Sequence, residues 1–225
     1  MDERFTPTPV LDLALLRELY AARRLDVDPG SAIDAFDWDT GAPEGFYVGQ
    51  VAWLVPGAEH TRPLAAVARQ LEEVFRTGAW PQHWGEEVDE LWRRVALDEC
   101  LAYLGTCMDD HQLPLRIGDK TRLVIEETLA RFSIGQTYNL IWRAAKDAAA
   151  YYMRTGVPRQ QAANSVVGAI QRGAERAIAS NWDIKSFGRD WRAPESTLSA
   201  VLFRGALHLG DPLAERPPVL SSPTG

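Results

Sequence analysis

Asp98 and Glu99, the Asp109-Asp110-His111 run and the Glu126/Glu127 pair are the residues best equipped for chemistry. Carboxylates gathered between helices can move protons, and with His111 they could hold a divalent cation. Asp98 falls on an apolar helical stripe with Leu91, Val95 and Ala102. A carboxylate there needs a partner, a proton or hydrogen bonds, because burying the bare charge is very costly. Arg94, four residues earlier, is a ready partner at helical spacing. The Glu-x-x-His repeats of carboxylate-bridged metal sites are missing. Asp98, Glu99, His111 and Glu126 are therefore an enzymatic alternative, and neither a metal nor a cofactor is expected. The stretch DVDPGSAIDAFD, Asp26 to Asp37, has the acidic spacing of a calcium loop but carries Ser31 where that loop needs glycine and Asp37 where it needs glutamate. A turn followed by a Ser31-capped helical turn fits it better.

The basic residues point elsewhere. Residues 1–130 hold 12 Lys/Arg against 24 Asp/Glu, whereas residues 131–192 hold 10 against 4. Such asymmetry suggests a polyanionic partner, or two segments that neutralise each other within the fold. Within the basic segment, Gln136, Asn139 and Arg143 share one narrow polar strip, and Arg172 and Arg176 mark the polar face of the following helix. Arg159 opens that second helix after a glycine-containing turn, a faint helix-turn-helix pattern in which it could reach base edges. Arg189 and Arg192 lie in SFGRDWRAPES, Ser186 to Ser196, beside Phe187 and Trp191, an arrangement suited to an anion or a partner surface.

These residues must be positioned by helices. Apolar periodicity predicts helices near 9–25, 44–55, 61–77, 85–112, 119–132, 133–155, 158–180 and 195–209. Asp28-Pro29-Gly30, Gly41, Pro56-Gly57, Gly78, Pro114, Gly118 and Gly156 fall between them. Few or no strands are expected. Ile134, Tyr138, Ile141, Ala145, Ala148 and Tyr152 align on one side of the 133–155 helix, flanked by further apolar residues, so this helix should lie deep in the domain. Ala163, Val166, Val167, Ile170, Ala174 and Ala177 form the matching face of 158–180. Gly156 suits the end of the first helix and Pro158 the start of the second, which predicts an αα-hairpin with closely approaching axes.

The expected fold is all-α: one helical, bundle-like domain of about seven or eight helices around that Ala-rich hairpin. An acidic helical extension over 1–57 would precede a main domain at 58–210, and the Pro/Ser-rich 211–225 would be a disordered tail. Cys100 and Cys107 stand seven apart on one helix, about 10.5 Å along its axis, too far for a disulfide. They are expected to be buried thiols. No uncharged apolar stretch approaches a membrane span, and the acidic start MDERFTPTP differs from a signal peptide, so a cytoplasmic protein without membrane contact is expected. No nucleophile elbow, phosphate loop or zinc-binding helix motif is present. The function expected on these grounds is a non-enzymatic binding or adaptor protein with a protein partner. The alternatives are a nucleic-acid-linked regulator using 131–192 and an enzyme with the carboxylate site above.

Overall fold

The computed structural model describes residues 4–39, 42–56, 64–77, 81 and 84–216. Gly41, Gly57, Gly78 and the 217–225 part of the expected tail lie outside the described residues. The protein is mostly helical with a few short strands, as an all-α chain should be. It divides into two compact units, one of Met1–Thr8 with Gly78–Gly225 and one of Pro9–Thr77.

The smaller unit holds helix α1 (Pro9–Ala21), strands β1 (Asp26–Val27), β2 (Phe36–Asp39), β3 (Ala42–Phe46) and β4 (Trp53–Leu54), and helix α2 (Leu64–Thr77). β1 pairs antiparallel with β4, and β2 with β3, the latter with a register shift between Asp37 and Trp38. The helix expected over 44–55 is thus not formed. Its apolar residues are mostly aromatic and β-branched, types that suit a pleated surface, and two glycines interrupt them. Phe46 and Trp53 instead close edge-on around Tyr20, with ring centroids 5.1 and 6.0 Å from it. Nor does Ser31 cap a helix. Its hydroxyl donates to the Asp28 carbonyl at 2.6 Å and accepts from the Ala52 amide at 2.9 Å, while the Asp28 carboxylate accepts from the Gly30 amide at 2.7 Å. The acidic loop is a self-bonded turn.

The larger unit is built on helices α3 (Trp84–Asp110), α4 (Asp119–Leu129), α5 (Ile134–Thr155) and α6 (Arg159–Ala179). α5 packs on α3 and α6, and α4 packs on α3 and α6. Val95, Ala96, Cys100 and Leu104 of α3 and Ile134, Ile141 and Ala145 of α5 are fully excluded from solvent. Tyr138 stacks on Tyr103 with centroids 4.1 Å apart and planes 10° from parallel. Ser133 caps α5 reciprocally: its hydroxyl accepts from the Gln136 amide at 3.2 Å, and the Gln136 side chain accepts from the Ser133 amide at 3.0 Å. Gly156 ends α5 at φ 64°, where a side chain would be strained.

A long irregular segment, 181–196, then returns over α5 before α7 (Thr197–Ala200), whose last turn widens into a π-helical stretch at Val201–Ala206. Gly135 makes this return possible. A Cβ on it would lie 2.0 Å from Ser186 Oγ and 2.5 Å from the Phe187 carbonyl oxygen. Its own amide donates to Leu213 at 2.7 Å, and its carbonyl accepts from the Phe187 amide at 2.9 Å. Residues 211–216 are therefore held in place: Leu213 is buried, and Arg216 donates to the Leu129 carbonyl at 3.1 Å.

Candidate functional site

Two polar assemblies stand out in the larger unit, one buried and one open. The buried one centres on Glu99. This carboxylate is 3% exposed, yet every direction around its oxygens is filled by donors. Arg189 forks onto it at 2.7 and 2.9 Å, Ser199 Oγ donates at 2.6 Å and Tyr138 Oη at 3.1 Å. Ser196 Oγ lies 2.8 Å from Ser199 Oγ and caps α7 by accepting from the Ser199 amide at 3.1 Å. A fork of two parallel N–H bonds is the strongest form of this pairing, and here it is sheltered from water. Burial opposes the charge on Arg189, but the bonds to Glu99 hold its pKa up. Burial, reinforced by the Glu99 charge, raises the Tyr138 phenol far above its usual value, so Tyr138 stays a donor.

Asp98, the neighbouring carboxylate, is 5% exposed and accepts from the Thr8 hydroxyl. Desolvation raises its pKa, with the Thr8 bond and the Arg122 and Arg94 charges pulling the other way. Glu126 is exposed and lines a separate pocket of about 260 Å³ with Glu90, Arg93 and Arg216, while His111 is exposed at the end of α3. No three His, Cys, Asp or Glu side chains among the described residues are grouped to hold a metal. Cys100 and Cys107 are buried free thiols; burial pushes Cys107 up to about 11 and Cys100 well above its usual range. Neither is poised as a nucleophile.

Around the 181–196 segment Arg192 and Arg204 are neutralised, while Lys185 is exposed and forms no ion pair among the described residues. Arg192 bridges Asp110 at 2.6 Å and Asp190 at 2.6 Å, and Arg204 meets Glu195 at 3.1 Å. Hydrogen bonds from Arg192 hold Asp190 down to about 2 and lower Asp110 as well. Trp191, next to Arg192 in the chain, is 89% exposed. Gln136 and Asn139 hold the segment rather than facing water: their amides donate to the Ile184 carbonyl at 3.1 Å and the Lys185 carbonyl at 2.9 Å.

The open assembly lies on α5 and α6. Arg143, Lys146, Arg172 and Arg176 line one groove of about 320 Å³ together with Trp142 and Trp182. Arg143 is fixed in orientation, since its Nε donates to Asn139 Oδ1 at 2.7 Å and its guanidinium lies 4.7 Å from the Trp182 ring centroid. Lys146 sits 5.0 Å from the Trp142 ring. Among the described residues, Asp147 is the one carboxylate lining this groove. None of the four cations forms an ion pair among the described residues, and both indoles are more than a third exposed. Arg159 is apart from them. It covers the Tyr152 ring at 5.5 Å and donates to the Gln112 carbonyl at 3.4 Å, and Gln160 donates to Asn164 at 2.9 Å.

Trp142, Lys146 and Trp182 were not among the site residues expected from sequence. The signal that could have found the first two is an i, i+4 tryptophan and lysine near Arg143 and Asp147 on one helix, whereas Trp182 comes from the irregular 181–196 segment and has no such local signal. Comparison with protein-family models, with curated proteins and with solved structures finds no match. No helix among the described residues is long and apolar enough to cross a membrane.

Proposed function

We propose that this protein is a non-enzymatic helical binding protein whose Ala-rich α5–α6 hairpin, with the adjoining 182–196 segment, receives an anionic partner. The observation behind this reading is the groove in which Arg143, Lys146, Arg172 and Arg176 face solvent without carboxylate partners. Of the exposed cations elsewhere in the same unit, Arg192 and Arg204 are bridged to acids, while Arg131, Arg154 and Lys185 form no ion pair among the described residues. The groove differs in gathering four such cations on one surface of a chain of net charge −7. Four unbridged cations gathered on one concave surface create a local positive potential that attracts negative ligands. Arg143 is also oriented in advance, which lowers the entropy cost of forking onto a carboxylate or phosphate.

Catalysis is not part of this reading because the best-placed acids are already used. Glu99 is saturated by Arg189, Tyr138 and Ser199, and Asp98 is held by Thr8. Heparin chromatography provides the test, with heparin as a generic polyanion. The full chain should be retained at low salt, and the double variant Arg172→Glu/Arg176→Glu should elute earlier. Equal elution of the two, or no retention of either, overturns the reading.

A further inference from the structure

Resting on that reading, we infer that the occupant of the groove is single-stranded nucleic acid, laid along α6 across two connected grooves. The second groove, of about 410 Å³, is lined by Arg116, Lys120, Asn164 and Ser165, and it shares Arg172 with the first. Arg172 is placed at this seam by Gly168, since a Cβ there would stand 3.1 Å from the guanidinium. Arg116 and Lys120 form no ion pair among the described residues. Six cations thus line the two grooves, Lys146, Arg143 and Arg176 in the first, Arg116 and Lys120 in the second, and Arg172 in both. Along α6 the stretch from Asn164 to Arg176 spans about 18 Å, enough for several successive phosphates.

Charge alone would fit an acidic peptide equally well. The two tryptophans favour nucleic acid. Trp142 and Trp182 are 40% and 38% exposed within the basic lining, each already set against a cation. Exposed rings and flat guanidinium planes are stacking platforms for bases of any sequence, and acidic side chains have no use for them. Duplex recognition is disfavoured because the first polar residues of α6 are engaged: Arg159 with Tyr152 and Gln112, and Gln160 with Asn164.

The test is fluorescence anisotropy on the full chain with three labelled probes: oligothymidylate of about 16 nucleotides, the upper end of common site sizes, a duplex of equal length, and polyglutamate. Oligothymidylate should bind most tightly, with affinity falling on added salt by about 0.7 log units per log unit for each phosphate contacted. Arg172→Glu should weaken it about tenfold or more, whereas Arg69→Glu, the same charge change on α2, should leave it unaltered. Trp182→Ala should weaken it about tenfold, the loss of one stacked base, with the salt slope preserved. Arg143→Lys, which keeps the charge and loses the fork, should weaken it severalfold and serves if Trp182→Ala melts early by circular dichroism. Polyglutamate binding as tightly as oligothymidylate, or duplex as tightly as single strand, overturns this assignment and leaves the anion-binding reading standing. Failure of all three probes to bind overturns both.

Discussion

At Arg189 the guanidinium meets a carboxylate that is almost wholly excluded from water, while at Arg172, on α6, no carboxylate answers the charge. The same side chain serves cohesion in one place and remains available in the other. The difference lies in desolvation. Glu99 is excluded from solvent and Arg189 is half-buried over it, so removing Arg189 would strand a buried carboxylate. The groove cations keep their hydration and cost the fold little when unpaired. A region that spends its donors internally is structural, and one that leaves them pointing outward is available for recognition.

Breaking the buried side of this contrast should have the largest effect. Glu99→Gln removes the close countercharge of Arg189, leaving it Glu195 at 4.0 Å, and should destabilise the protein by about 3 kcal/mol, the lower end of the cost of breaking a buried pair, read as a lower urea midpoint at unchanged slope. Gly135→Ala should come next, at about 1–3 kcal/mol, because its methyl would collide with Ser186 and the Phe187 carbonyl. Tyr138→Phe removes one donor of the Glu99 cluster while the ring stack remains, and about 1 kcal/mol should be lost. On the open side, Arg172→Glu/Arg176→Glu should change stability by no more than about 0.5 kcal/mol while abolishing most heparin retention. A large loss of stability in that variant would erase the distinction between the two regions.

Acid titration should sharpen the same contrast through opposite signs. The pKa of Asp98 is raised in the folded state, so the native protein binds more protons there than the unfolded chain. Its contribution is most favourable at low pH and is lost as pH rises from about 3.8 through the elevated value. Asp110 and Asp190 are lowered by Arg192, so their contribution is present above about 3.8 and is lost as pH falls, for Asp190 through about 2. Asp98→Asn should accordingly remove the decline in stability that sets in as pH rises above about 3.8 and leave the acid limb unchanged, as measured by thermal melts across pH. An unaltered profile would show that Asp98 titrates as a solvated acid.

The helices around both regions were legible because their apolar periodicity runs over many turns. The spans read as 133–155 and 158–180 appear as Ile134–Thr155 and Arg159–Ala179, and 85–112 appears as Trp84–Asp110. Ser133, Gly156 and Pro158 mark their ends by local chemistry that acts within a few residues. The 44–55 segment was misread for the converse reason: a short apolar run carries no period long enough to separate strand from helix. Asp98 was recognisable as needing support, but the Thr8 hydroxyl that supplies it lies 90 residues away in the chain.

Sequence alone determined the helical class, the limits of the long helices and the placement of Arg143, Arg172 and Arg176 on polar faces, because each depends on neighbours within about one turn. The tertiary structure decided which charges are consumed and which are left. Arg189 finds Glu99 across 90 positions and Arg192 finds Asp110 across 82, whereas the four groove cations converge from two helices onto a surface where Asp147 is the one acid among the described residues and forms no ion pair with them. Pairing of that kind follows from how helices and returning loops pack in space, and no local pattern along the chain encodes it.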